Sequence, residues 1–593
     1  MSGRLSRSGA WGWARAMACV LAGVLLVTGA APCKAESDPL AIGRRIFREG
    51  ILPGGQLLQG VGAASVTLAG ASAACATCHR RSGYGSSEGP IEVRAITGPA
   101  LFGERVAPSA PGSLDVRAPP VARPAGRPGQ TGQTSPASQA AAQAARAKAD
   151  ALRVARSAMF SGSRQRPTYT DDTLARAIRE GIDVTGGEMN ASMPRYALDD
   201  AALDSLTAYL KTLSSVFSPG VTEDKVHFAT VIQPGSDPVQ RRALVEVLQT
   251  FMRDRNLGQR AEVRRELAGQ VHLGRSYREW VLHVWDLSGT SDSWGTQLES
   301  LNLKQPVFAL VSGLGQASWR PIHEFSERFE VPCILPQTNL PWLDEPDFYT
   351  VYLSKGMTLE AQALAKSLGD SGEQGEVTQV YRRDEASATA AAAFRKAWTA
   401  GAGLHDRVLE TASGEAFWQQ LASQASGGTL VLWLPAQDLA QARALSAAES
   451  PVKAVYLSAS LLAGARSGLT PDRAGRVRLI YPQDLPAARQ GRLAVVKQWL
   501  HNKGIELTEE TVQMNAYLAA TVTGLVVTHS KDTYSRDFML ERMEHRLGTA
   551  NELSIYPHLS LGPGQRFASK GTYIVRVDGE DGQLTALSDW IVP

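Results

Sequence analysis

The chain has 593 residues, a length that predicts several domains rather than one. Apolar residues make up 44% of the chain and charged residues 20%, which is the composition of a globular protein and argues against a disordered or fibrous one. The formal net charge is only +3, so bulk charge gives no reason to expect a nucleic acid or an anionic membrane as partner.

The first 35 residues have the pattern of a secretory signal peptide. Three arginines within the first 15 residues precede an uncharged apolar run over residues 16–31, and Ala35 ends a small-x-small cleavage site. The run is shorter than the roughly 20 residues of a membrane-spanning helix, although an uncleaved anchor remains the alternative. We therefore predict a signal peptide at residues 1–35, a periplasmic location and no membrane span after cleavage.

The segment CATCH places Cys75, Cys78 and His79 in one short stretch. A structural zinc site needs four ligands, and the chain has no second cysteine pair outside the predicted signal peptide. A redox-active dithiol would not need the histidine. Cys-x-x-Cys-His is the pattern of covalent haem attachment, in which the thiols bind the porphyrin edge and the histidine ligates the iron. We favour haem c over a disulfide, which stays open as the alternative.

Two helices flank this motif in the sequence. In DPLAIGRRIFREG the apolar residues share one helical face, and Gly43 leaves room for another helix. Near residue 200, Asp199 or Asp200 is placed to cap a second amphipathic helix. Its apolar positions are Leu203, Leu206, Leu210 and Leu213. The two helices are therefore predicted to pack across each other.

The long interval between these helices contains a segment that cannot form a core. Residues 105–155 are rich in Pro, Ala, Gly and Gln and nearly lack large apolar residues, so we predict a disordered insertion. Order resumes in RQRPTYTDDTLARAIREGID, where Leu174, Ile178 and Ile182 recur at helical spacing.

The Gly43–Phe47 helix, the CATCH motif, the Met193-Pro194 pair and the final helix together resemble class I c-type cytochromes. The resemblance implies an all-α cytochrome c domain built from residues 36–104 and 156–216 around the insertion. A linker at residues 217–223 follows.

In that family the methionine of a Met-Pro pair is the sixth ligand of the iron. The resemblance thus implies His79 and Met193 as axial ligands of one haem c held by Cys75 and Cys78. Met189 and Met159 are weaker candidates, and Met193 as a plain core residue is the alternative.

From residue 224 to 593 the pattern changes to short apolar runs alternating with helical stretches. A first series of predicted strands consists of VHFATVIQ, WVLHVWDL, PVFALVSGLG and VPCILPQ. A second series is predicted to begin near residue 348 with FYTVYL. This alternation predicts two lobes, each a parallel sheet covered by helices. Cys333, inside the first series, is predicted to be a buried inert thiol.

The order of these units, the SGLG turn and the VPCILPQT strand resemble type 1 periplasmic binding proteins of the branched-chain amino-acid and amide-binding branch. The resemblance implies a ligand cleft between the lobes, with Ser312, Gln316, Thr338 and Tyr349 as candidate binding residues. Ordinary turn chemistry explains Ser312 and Thr338 equally well. No acidic residue matches the one that would bind an amino group, which argues against an amino-acid ligand.

The sequence as a whole predicts a multidomain electron carrier: a cytochrome c domain followed by an α/β two-lobed binding domain. We expect no catalytic residues, a redox partner protein such as a periplasmic dehydrogenase, and a small polar molecule in the C-terminal cleft. Two alternatives remain open, a haem-bearing subunit of a quinoprotein-type alcohol oxidoreductase system and a substrate-binding receptor of a transporter.

Overall fold

The chain divides into an N-terminal unit, Met1–Val216, and a C-terminal unit, Phe217–Pro593. The predicted signal peptide, the insertion at 105–155 and Met159 lie outside the residues that the structure, a computed structural model, describes. The described residues are 38–88, 91–103, 167–267, 278–344, 348–371, 375–399, 403–410, 413–442, 445, 449–464, 475–529, 534–562, 564–578 and 583–593.

The N-terminal unit packs helices around one apolar core, with two small antiparallel sheets. Its helices are α1 (Pro39–Glu49), α2 (Cys75–His79), α3 (Gly98–Phe102), α4 (Asp171–Arg179) and α5 (Asp200–Thr212). Its strands are β1 (Gln59–Val61), β2 (Thr67–Ala69), β3 (Ser86–Glu88), β4 (Ile91–Val93) and β5 (Arg195–Tyr196). The strands form a sheet in the order β2-β1-β5 and a separate β3-β4 hairpin.

The crossing of α1 and α5 forms the centre of this unit. Asp199 caps α5 by accepting a 2.7 Å hydrogen bond from the amide of Ala202. The two helices approach closely because Gly43 has no side chain: a Cβ there would overlap the Ser205 carbonyl and lie 2.7 Å from the Cβ of Tyr209. The predicted close approach at Gly43 is confirmed.

Two details of the N-terminal unit differ from the sequence prediction. The all-α prediction was incomplete, because strands of two or three residues are too short to show an alternating pattern. The helix predicted to include Ile182 ends earlier, at Arg179, because Gly181 adopts a left-handed φ of +72°. Ile182 instead forms an isolated antiparallel bridge with Glu188.

The C-terminal unit contains two seven-stranded sheets, which confirms the prediction of two α/β lobes. The first sheet is parallel, in the order β11-β9-β6-β8-β10-β12 with β7 beside β6. Its strands are β6 (Lys225–Ile232), β7 (Glu279–Asp286), β8 (Ala309–Val311), β9 (Leu314–Gly315), β10 (Cys333–Ile334), β11 (Gln337–Thr338) and β12 (Thr350–Val351).

The second sheet has the order β14-β13-β15-β16-β17-β18-β19, and only its last two strands run antiparallel to their neighbours. Its strands are β13 (Val377–Tyr381), β14 (Leu404–Val408), β15 (Thr429–Trp433), β16 (Ala454–Ser458), β17 (Val477–Tyr481), β18 (Tyr573–Asp578) and β19 (Gln583–Ala586).

Helices connect these strands and cover both sheets. They are α6 (Pro238–Leu267), α7 (Trp294–Lys304), α8 (Arg320–Arg328), α9 (Met357–Asp370), α10 (Glu385–Ala397), α11 (Glu415–Gln424), α12 (Ala459–Leu462), α13 (Pro486–Asn502), α14 (Glu510–His529) and α15 (Arg536–Arg546). Within the described ranges, no helix combines the length and the apolar character that a bilayer crossing requires.

The boundary between the two lobes differs from the prediction. The strand near residue 348, predicted to open the second lobe, is β12 and pairs with β10 in the first sheet. Helices α13 to α15 also share a core with the first sheet, through residues such as Leu493, Met514 and Met539. Since apolar runs look alike in either lobe, sheet membership depends on long-range pairing that the local pattern does not contain.

Candidate functional site

The CATCH segment forms the single-turn helix α2. In a helix, residues three and four positions apart lie on neighbouring sites of one surface, so Cys75, Cys78 and His79 are grouped along one side. Cys78 is exposed, whereas Cys75 is half-buried in the wall of an apolar cavity. Both are free thiols, and burial raises the pKa of the Cys75 thiol to about 12.

His79 presents one nitrogen for ligation. Its Nδ1 lies 2.9 Å from the carbonyl oxygen of Arg94, and a carbonyl only accepts, so Nδ1 carries the proton and donates it. Nε2 then keeps the lone pair. Burial is the main reason that the pKa of His79 is lowered, so its imidazole is neutral at pH 7. A neutral imidazole anchored through its other nitrogen is the usual form of a histidine metal ligand.

The N-terminal cavity adjoining α2 is walled by apolar side chains from every helix of the unit except α1. It also reaches both methionines that precede β5, Met189 and Met193. Its full lining is Leu58, Cys75, His79, Ile96, Leu101, Tyr169, Leu174, Ala177, Ile178, Met189, Met193, Tyr196, Leu198, Leu206 and Leu210. The cavity therefore brings together the predicted residues Cys75, His79 and Met193, with Met189 as an additional thioether.

A covalently attached haem c would use Cys75, His79 and one methionine of this lining, and its second thiol, Cys78, is exposed and does not line the cavity. A thiol and an imidazole lie on one wall, two thioethers are available, and the remaining lining is apolar, as a porphyrin face requires. Among the described residues, no group of three or more His, Cys, Asp or Glu side chains is placed to hold a metal ion.

In the C-terminal unit, Ser312 and Thr338 already have partners within the protein. Ser312 is fully buried, and its hydroxyl accepts a 3.3 Å hydrogen bond from the side-chain amide of Gln337, which also donates to the Val512 carbonyl at 3.0 Å. Thr338 accepts a bond from the amide of Leu340 at 3.0 Å. Only the Thr338 contact, two residues along the chain, is the local turn chemistry of the alternative interpretation, whereas the partner of Ser312 lies 25 residues away in the sequence.

The structure does not bring Tyr349 to these residues. Tyr349 stands just before β12, at the amino end of the first sheet, whereas Ser312 follows the carboxyl end of β8, which is separated from β12 by β10. Its side chain is buried in the core, and its hydroxyl donates a 2.6 Å hydrogen bond to Asp537. The placement of Tyr349 in a second-lobe wall of the cleft was wrong, because β12 belongs to the first sheet.

Gln233, which the sequence analysis did not select, binds the loop after β9. Its side-chain oxygen accepts a 3.0 Å bond from the Ala317 amide, and its nitrogen donates to the Ser318 carbonyl at 3.2 Å. Gln233 is almost fully buried, while the predicted Gln316 beside this loop is exposed. The available signal was a polar residue directly after the apolar strand VHFATVI, at the sheet end where ligands bind in such folds.

A cavity of about 540 Å³ lies where segments following strands of both sheets meet. The second sheet contributes Glu385, whose carboxylate accepts a 3.0 Å hydrogen bond from the Ser318 amide of the first lobe. Arg320 lies 4.6 Å above the ring of Trp342 and is 2.6 Å from Glu324. Polar and aromatic groups at this end of the sheets are suited to a small polar molecule, and Ser318, Arg320 and Trp342 line this cavity instead of the predicted Ser312 and Thr338.

No protein-family model matches the chain. No curated protein matches it either. Solved structures with a similar fold include a leucine-binding protein from Thermotoga maritima, at 16% identity over 62% of this chain and 99% of that one, with a TM-score of 0.43.

Two further structures are similar over 62% and 64% of the chain. A branched-chain amino acid ABC transporter protein from Thermus thermophilus, with bound valine, is 13% identical over 62% of this chain and 97% of that one, with a TM-score of 0.45. A fatty acid ABC transporter substrate-binding protein from Thermomonospora curvata is 15% identical over 64% of this chain and 95% of that one, with a TM-score of 0.43.

Proposed function

We propose that this protein is a periplasmic c-type cytochrome fused to a binding domain, and that it transfers single electrons through one haem c attached at Cys75 and Cys78. The observation that carries the proposal is the shared cavity of the N-terminal unit. It brings together Cys75 of the haem-attachment motif, the neutral buried His79 and two thioethers within an otherwise apolar lining, while Cys78 is exposed beside it on the same helical turn.

Each residue has a distinct part in this proposal. Cys75 and Cys78 form the thioether links, and His79 offers Nε2 because Arg94 holds its Nδ1 proton. Met193 would supply its thioether sulfur as the other iron ligand. When bound, the group would supply a one-electron iron couple whose potential the neutral sulfur ligand raises. Because protein side chains would then hold the iron on both sides, electron transfer to a partner such as a periplasmic dehydrogenase would be favoured over catalysis.

The C-terminal unit serves, in this proposal, to bind a small polar molecule or to dock a partner. The supporting observation is the cavity where the two lobes meet, with Glu385 of one lobe bonded to Ser318 of the other. The same observation supports a second candidate function, a substrate-binding receptor of a transporter. In that case ligand affinity would not depend on haem.

The experiment is intact mass spectrometry under native conditions on the full chain, expressed with periplasmic haem-maturation machinery. The wild type and a Cys333→Ala control should each carry one covalent haem, because Cys333 is fully buried in the core of the C-terminal unit. The Cys75→Ala/Cys78→Ala double variant should carry none. A small additional mass that persists in the double variant would favour the receptor function. A wild-type chain without haem would overturn the proposal and leave the disulfide interpretation of Cys75 and Cys78.

A further inference from the structure

We infer that Arg195 is the positioning residue that holds the methionine loop, residues 180–194, against the N-terminal cavity. The inference rests on the proposed function for its spectroscopic consequences, but its structural content stands on the contacts of this loop. Arg195 lies on β5, so its backbone is fixed by antiparallel pairing with Val61 of β1.

The guanidinium of Arg195 bonds to three backbone carbonyls of the loop. Nε donates to Glu180 at 3.1 Å, Nη2 donates to Met189 at 3.0 Å, and Nη1 donates to Met193. The two methionines that line the cavity are therefore tied to one planar group. Arginine can bind three carbonyls in this way because its planar guanidinium holds its N–H donors in fixed, spread directions. The ammonium of lysine carries its donors on one nitrogen atom and cannot span the same three carbonyls.

Gly181 makes room for this arrangement. A Cβ at this position would overlap Cζ and Nε of Arg195, and φ here is +72°. The carbonyl of Gly181 also accepts a 2.8 Å hydrogen bond from the amide of Met189. The backbone at Gly181 therefore lies against the guanidinium, and the carbonyls of the loop bind it.

Without Arg195, three loop carbonyls lose a charged donor, and packing of Met189 and Met193 against the apolar core is left to hold the thioethers. Hydrogen bonds from a charged donor are stronger than those between neutral groups. Losing them should let the thioether leave the cavity often enough for an outside ligand to compete, so we expect imidazole to bind at least about tenfold more tightly to the ferric protein.

The test compares Arg195→Leu and Arg195→Lys with Arg179→Leu in the full chain. Arg179 is a matched control because its guanidinium also makes three hydrogen bonds, to the Leu198 carbonyl and to Asp200, but none to the methionine loop. Both Arg195 variants should keep the covalent haem mass, weaken the far-red charge-transfer band typical of ferric iron with a thioether ligand, and bind imidazole more tightly. Arg179→Leu should match the wild type in all three respects.

A second pair of variants reaches the same contact without removing a charge. Gly181→Ala should reproduce the Arg195→Leu phenotype, whereas Gly186→Ala should not. Gly186 lies in the same loop with a φ of +84°, so alanine meets similar backbone strain there, but no atom lies within 4 Å of its Cβ position.

Hydrogen exchange separates a failure of this inference from a failure of the proposed function. With or without haem, Arg195→Leu should speed amide exchange at Met189 and Met193, while Arg179→Leu should not. Faster exchange in a chain that carries no haem would support Arg195 as the holder of the loop and overturn only the haem proposal. Unchanged exchange, or unchanged imidazole affinity in a haem-bearing Arg195→Leu variant, would overturn the inference.

Discussion

The chemistry of His79 depends on a single backbone contact. The carbonyl of Arg94 fixes the proton on Nδ1, and burial lowers the pKa of the ring, so Nε2 is available to a metal at neutral pH. The CATCH motif indicates which histidine would ligate, but only the fold supplies the carbonyl that sets its tautomer.

Met193 and Met189 both line the cavity, and only one of them can be the sixth ligand. We predict Met193, because it forms the Met-Pro pair just before β5, whose pairing with β1 fixes the chain there. Met193→Ala should abolish the far-red band of the ferric protein, and Met189→Ala should retain it, as measured by absorption spectroscopy on both variants. The opposite pattern would assign the iron to Met189.

At the scale of elements, the α1–α5 crossing determines the shape of the N-terminal unit. Gly43 faces Ser205 and Tyr209, and the ring of Tyr209 lies 5.4 Å from that of Phe47. The helices thus meet backbone to backbone, with aromatic side chains beside the contact. Adding a methyl group at this point should cost about 1–3 kcal/mol, as overpacking of a close contact does.

Gly43→Ala should therefore speed amide exchange in both α1 and α5, measured by mass spectrometry after deuterium labelling. Gly62→Ala is the matched control in the same unit, since its Cβ would meet no atom closer than 3.7 Å and its φ is −94°. Equal exchange in the two variants would contradict a tight crossing at Gly43.

At the scale of the whole molecule, each unit has its own core. One apolar cluster contains only residues from Ile46 to Leu213, and the others begin at Val226 or later in the chain.

The tryptophans separate in the same way. Trp11 and Trp13 lie in the predicted signal peptide, and all the others lie in the C-terminal unit. Tryptophan fluorescence of the mature protein therefore reports on one unit alone.

We predict two unfolding transitions in urea for the chain without its predicted signal peptide, residues 36–593. Tryptophan fluorescence should follow the C-terminal unit, while amide exchange in α5 follows the N-terminal unit, and their midpoints should differ because the cores are separate. Gly43→Ala should lower only the second of these midpoints. Coincident midpoints that shift together in this variant would contradict independent unfolding.

The sequence by itself determined those features that reside in local spacing. Capping and periodicity act over short range, so a short stretch of sequence is enough to predict them. The features predicted in this way were the CATCH motif, the Asp199 cap, the small residue at Gly43 and the alternation of strands and helices after residue 224. The haem assignment follows from one such pattern and stays a prediction.

Only the tertiary structure decided which distant groups meet. It placed β12 in the first sheet and so buried Tyr349. It bonded Gln337 to Ser312, which was expected to face a ligand, and Gln233 to the loop after β9. It also set Arg195 among three carbonyls of the methionine loop. Side chains far apart in sequence satisfy one another only after the chain has folded, and hydrogen-bond partners chosen through space leave no periodic trace in the sequence.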